Sequence, residues 1–104
     1  MIKDVDEIRS RCQKALRGTE VQRAIVFGSW ARGTQDSRSD IDIIVVEETD
    51  RRFFERYRDL GGLYDALHEN AIDLLVYTPG EFESIADRPF IRKALSEGVV
   101  VYER

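Results

Sequence analysis

A single cysteine, Cys12, in 104 residues leaves no partner for an intramolecular disulfide, which excludes a disulfide-stapled design. Its apolar neighbours recur at helical spacing, so it reads as a buried core thiol rather than a nucleophile, and a reducing, cytoplasmic compartment is expected. No apolar run approaches the roughly 18 residues that cross a bilayer. Met1 to Arg11 mixes acids with bases, so secretion and membrane insertion are not expected. A basic excess is missing too: 16 Lys and Arg face 20 Asp and Glu, a net charge of −4. That balance supplies no general drive toward nucleic acid or anionic membrane, and direct nucleic-acid binding is not expected. Repeats, linkers and low-complexity segments are absent. One domain spanning residues 1–104 is expected, without room for a second substrate-binding domain, and 42% hydrophobic residues suffice for one modest core.

What is present is a regular alternation of elements. Val5, Ile8, Cys12 and Leu16 recur at helical spacing between Asp4, a cap, and Gly18, a stop. Val21 to Phe27 reads as a strand entering the Gly28-Ser29 turn. Trp30 to Ser39 is polar, so it is a loop or a short helical turn followed by a loop. Ile41 to Val46 is apolar on both alternations except at Asp42, as in a strand covered on both faces. Phe53, Tyr57, Leu60, Tyr64 and Leu67 predict a long amphipathic helix, with Gly61-Gly62 in its middle costing about 1 kcal/mol each and able to bend or interrupt it. Ile72 to Tyr77 is a third strand, Glu81 to Ala86 and Pro89 to Ser96 are short helices, and Val99 to Tyr102 is a fourth strand. The order predicts an α/β (α+β) sandwich with one small sheet of about four strands.

Asp40, Asp42 and Asp73 interrupt segments that are otherwise apolar. A bare carboxylate in such a sheet needs a cation, a donor or an exposed strand end. Residues two apart on a strand share a face, about 6.5 Å apart, so Asp40 and Asp42 can reach one cation, and Asp73 can join from a neighbouring strand. Oxygen-only ligation favours Mg²⁺ or Mn²⁺ over zinc, and Mg²⁺ usually adds substrate phosphates to one or two carboxylates. The bland alternative for any one of these acids alone is a hydrogen-bond acceptor at a loop end.

Upstream lies Gly28-Ser29-Trp30-Ala31-Arg32-Gly33-Thr34. Glycine permits close backbone approach, and successive N–H groups with the Ser29 hydroxyl can receive phosphate oxygens. Thr34 stands where a P-loop lysine would be, so a P-loop is rejected. Ten residues separate Ser29 from Asp40, and the chain spells Gly-Ser-x10-Asp-x-Asp. Through Phe27-Gly28-Ser29-x-Ala31-Arg32-Gly33 and Ser39-Asp40-Ile41-Asp42, with Asp73 as a third acid, it resembles the nucleotidyltransferase superfamily related to DNA polymerase β, most closely the minimal nucleotidyltransferases. The resemblance covers Val21 to Tyr77.

That resemblance implies a mixed β-sheet flanked by helices, Gly28, Ser29 and Arg32 on the NTP phosphates, and Asp40, Asp42 and Asp73 as catalytic, metal-binding acids for one or two Mg²⁺ ions. Asp73 or its metal would help deprotonate the attacking hydroxyl. It also implies a partner, because similar minimal nucleotidyltransferases are paired with HEPN-type toxins and transfer AMP from ATP to a toxin hydroxyl, typically of tyrosine. The competing functions are a non-catalytic nucleotide-binding module that neutralises its partner by occlusion, and transfer to a small molecule, which relatives accomplish with an extra acceptor domain. Either way an oligomer is compatible with the sequence. Arg38 is expected in a solvated loop, and His68 at the surface. Trp30 stacks a base, faces a partner or covers the sheet edge. Arg51, Arg52, Arg56 and Arg58 form either a solvated helix face or a docking surface for an acidic partner.

Overall fold

The computed structural model describes all residues, Met1–Arg104. Helix α1 (Val5–Leu16) starts where the Asp4 side chain accepts from the Glu7 N–H at 3.0 Å, a cap worth about 1 kcal/mol. It buries Ile8, Cys12 and Leu16, one residue per turn of the stripe. Gly18, at φ +82°, then turns the chain into β1 (Val21–Phe27). A four-residue helix, α2 (Ser29–Arg32), leads through a loop to β2 (Ile41–Glu47). β3 (Ile72–Tyr77) and β4 (Val99–Glu103) complete the sheet in the order β3-β2-β1-β4. β1 runs antiparallel to β2 and β4, and β2 runs parallel to β3, so the sheet is mixed.

Alternation along β2 sends Ile41, Ile43 and Val45 into a large core that includes α1, and Ile44 and Val46 into a smaller one on the opposite face. α4 (Pro79–Ile85) and α5 (Pro89–Glu97) cover that second face with Phe82, Ile91 and Ala94. Both faces of β2 are therefore covered, as its continuous apolar run requires. α4 begins two residues before the expected Glu81, because Thr78 and Glu81 form a reciprocal capping box with Pro79 in the first turn.

The long helix expected from Phe53 to Leu67 is instead two pieces, a 3₁₀ helix Phe53–Leu60 and α3 (Gly61–Ala66), divided at Leu60 (φ −113°, ψ 20°). Tertiary bonds hold the tighter first piece. The buried Arg56 guanidinium donates to Arg51 O at 3.0 Å, Val76 O at 3.1 Å and both Glu81 carboxylate oxygens at 2.6 and 3.0 Å. Tyr57 Oη donates to Leu74 O at 2.9 Å. Arg56 is thus an internal tie between the 3₁₀ helix, β3 and α4, and it drops out of any basic docking face; Arg51 pairs with Asp59 at 3.0 Å, while Arg52 and Arg58 stay exposed. No helix is long and apolar enough to cross a membrane.

Candidate active site

Strand pairing sets three residues of the candidate site in one row. β2 places Asp42 opposite Phe27 at the end of β1 and opposite Asp73 at the start of β3. All three lie on the face that α4 and α5 cover further along, because Ile25, Ile44 and Leu75, two residues away on their strands, pack in the smaller core. At this end of the sheet the carboxylates of Asp42 and Asp73 line clefts bordered by Phe90 of α5 rather than joining the core. Asp40 shares the alternation of Asp42 but lies just outside β2, in exposed backbone, instead of on the strand as expected. The three carboxylates are not drawn together into a ready-made three-ligand metal cluster.

Asp42 is half-buried and crowded by acids. Burial, then a hydrogen bond and charge from Asp73 and the charge of Asp40, push its carboxyl up to about 6, against the opposing pull of Arg32. The cause of the close quarters is Gly28. Its backbone adopts φ +72°, ψ −149°, and a Cβ there would collide with Asp42 Oδ2. Glycine therefore serves twice: it takes a conformation closed to other residues, and it clears space beside a carboxylate oxygen.

Ser29 opens α2, whose first internal bonds run from the Ala31 and Arg32 N–H groups to Gly28 O, leaving the amides before them without helical partners. Gly33 ends the turn at φ +76° with its N–H on Ser29 O. Arg32 reaches across to α5, donating to Glu97 Oε2 at 3.3 Å. One cleft of about 280 Å³ lies between Gly28, Arg32 and Asp42 on one side and Phe90, Lys93 and Glu97 of α5 on the other. A second, of about 370 Å³, adjoins Asp42, Asp73, Leu75 and Phe90. Phe27 and Phe90 line both and meet edge to face, with centroids 5.7 Å apart. A larger cleft of about 490 Å³ between α1 and α3 holds Arg11, Lys14 and Asp65 and lies away from the paired carboxylates.

The structure thus brings together Gly28, Arg32, Asp42 and Asp73, with Ser29 and Asp40 adjoining them in the chain. Trp30 does not join them: it is buried in the large core, with its indole N–H on Ser39 O at 3.2 Å, which rules out base stacking. Arg38 sits exposed in the loop, and His68 is exposed with Nδ1 2.9 Å from Asp65 O. Sequence reasoning missed Phe90, Lys93 and Glu97. Their helical spacing of three and four was visible, but nothing local says that this stripe meets the end of β1.

The chain belongs to the family described as Polymerase beta, Nucleotidyltransferase, whose model matches residues 8–104. It is a minimal nucleotidyltransferase. Relatives in Methanocaldococcus jannaschii named Putative protein adenylyltransferase include MJ0604, 31% identical over 96% of this chain and 96% of its own length, and MJ1379, 27% identical over 95% of each. Among solved structures, a toxin–antitoxin with AMP-PNP superposes with a TM-score of 0.63 at 23% identity, over 92% of this chain and 73% of that one. A mutant form of the toxin–antitoxin MntA-HpeT gives 0.65 at 22% identity, with the same coverage. These two likenesses show the fold.

Proposed function

We propose that this chain transfers AMP from ATP to a hydroxyl of a partner protein and acts as the antitoxin toward a HEPN-type toxin. The observation that carries the reading is the row Phe27, Asp42, Asp73 beside the side-chain-free Gly28, which puts two carboxylates in the lining of one cleft next to a turn with free helical amides. The names of its relatives supply the rest: protein adenylyltransferases by sequence and toxin–antitoxin assemblies by fold.

In this reading Gly28, Ser29 and Arg32 hold the triphosphate, through backbone and hydroxyl donors and a guanidinium. Asp40 and Asp42 would hold Mg²⁺, with Asp73 as third ligand. The donor set fits, because it is all oxygen and because Asp42 is crowded by like charges that a divalent cation would relieve. Bound there, Mg²⁺ supplies charge stabilisation to the phosphates. Asp73, opposite Asp42 in the sheet, would help take the proton of the incoming hydroxyl. The hydroxyl oxygen bonds to the α-phosphorus, the bond to the β-phosphate oxygen breaks, and pyrophosphate leaves.

The test is to purify the chain from its native cell, identify co-purifying protein, and weigh that protein before and after ATP and Mg²⁺. Added AMP that disappears with Asp42→Asn supports the reading. Tight association without added mass makes the chain an occluding module, and label found only on a small molecule refutes the protein acceptor.

A further inference from the structure

Two cations line the cleft beside Gly28 and Asp42, and they differ in what neutralises them. Arg32 gives Nη1 to Glu97 Oε2 at 3.3 Å. The side chain of Lys93, on the same wall as Glu97, makes no ion pair and no hydrogen bond, and the residue is exposed. Its helix is firmly placed: Ile91 and Ala94 are buried against Ile25 and Ile44, so α5 presents Phe90, Lys93 and Glu97 to the cleft as one stripe. An unneutralised ammonium on a rigid helix, facing the turn proposed to hold phosphates, has the charge and the three rotatable donors that a polyphosphate tail requires.

We infer that Lys93 is a donor-binding residue that contacts the β- and γ-phosphates of the nucleoside triphosphate from the α5 side. This rests on the proposed nucleotide site and adds to it a contact from α5, an element far from the Gly-Ser turn in sequence. The arrangement makes affinity depend on the number of phosphates rather than on the nucleoside. Glu97 opposes the effect, because it holds Arg32 and carries like charge toward the ligand.

The experiment is calorimetry of the whole chain with Mg²⁺ and, separately, ATP, AMP and inorganic tripolyphosphate. Lys93→Met should weaken ATP and tripolyphosphate about tenfold while leaving AMP unchanged, and Lys93→Arg should restore the loss. Arg92→Met, which removes the same charge from the neighbouring exposed position of α5, should change none of the three. Glu97→Gln should tighten ATP. Unchanged ATP affinity in Lys93→Met, an equal loss for ATP and AMP, or an Arg92→Met effect as large overturns the inference. Failure of the unaltered chain to bind ATP would overturn the nucleotide site itself, whereas normal ATP binding with an indifferent Lys93 removes only this residue from it.

Discussion

Gly28→Ala separates the two demands that the fold makes on one residue. The first is conformational: φ +72° with ψ −149° is a region essentially reserved for glycine, and forcing alanine into it costs on the order of 1–3 kcal/mol. The second is spatial: the new Cβ meets Asp42 Oδ2, and the Asp42 Cγ at 3.4 Å is also tight, but its Cβ at 3.7 Å is in ordinary contact. Asp42 must therefore rotate away. Gly33→Ala is the matched control, because Gly33 also has positive φ (+76°) but open space where its Cβ would go. Both variants should lose stability, roughly 4–8 °C in Tm per kcal/mol for a chain this size. Only Gly28→Ala should lose nucleotide binding, by about tenfold or more, since only it moves a proposed metal ligand. A double-mutant cycle with Asp42→Ala isolates the collision: removing the carboxyl should recover about 1 kcal/mol in the Gly28→Ala background, read from urea denaturation. Nucleotide affinity in Gly28→Ala equal to that in Gly33→Ala, or no coupling to Asp42, would refute the argument.

Three further expectations follow from the geometry. Asp73→Asn should lower turnover more than ATP affinity, because a proton acceptor for the incoming hydroxyl acts mainly in the transition state; equal losses in single-turnover and binding measurements would make it a ligand only. Gly98→Ala should destabilise by about 1–3 kcal/mol in urea, because its Cβ would come within 2.5 Å of Ala94 O and 2.7 Å of Ile25 Cγ2, and an unchanged midpoint would contradict that packing. Arg56 holds the Glu81 carboxyl down to about 2, so the folded state favours the charged acid. That stabilisation is complete above the ordinary carboxylate range and is lost as pH falls toward 2; since Glu81 is half-exposed, it amounts to about 1 kcal/mol after screening. Urea midpoints of wild type should accordingly fall more between pH 5 and pH 2 than those of Glu81→Gln, and parallel curves would show the pair to be energetically idle.

Much of the fold was legible because its signals are local. Strand limits at Val21, Phe27, Ile72 and Tyr77 coincide with apolar runs and the turn residues that bound them, and α1 shows its cap, stripe and glycine stop within fifteen residues. Asp42 was conspicuous for the same reason: a carboxylate in a strand buried on both faces contradicts its neighbours. Chain order and spacing also put Gly28, Ser29 and Asp40 in one recognisable pattern.

Other features depend on contacts that no local window contains. Helical periodicity from Phe53 to Leu67 was real, yet the segment divides because Arg56 and Tyr57 find carbonyls on β3. The same bonds turn one arginine of a basic stretch into an internal tie. Trp30 is as apolar in the core as it would be under a base, and its burial there, with the indole N–H on the Ser39 carbonyl, decides between them. Asp73 opposite Asp42 is a matter of strand register, which the crossover between β2 and β3 sets. Phe90, Lys93 and Glu97 reach the cleft because α5 packs on β1 and β2. Composition and period report how each residue prefers to meet water, so the sequence by itself determined the elements and the chemically odd residues within them. Which odd residues face one another was decided only by pairing and packing between distant segments, where the free energy belongs to the contact and not to either residue alone.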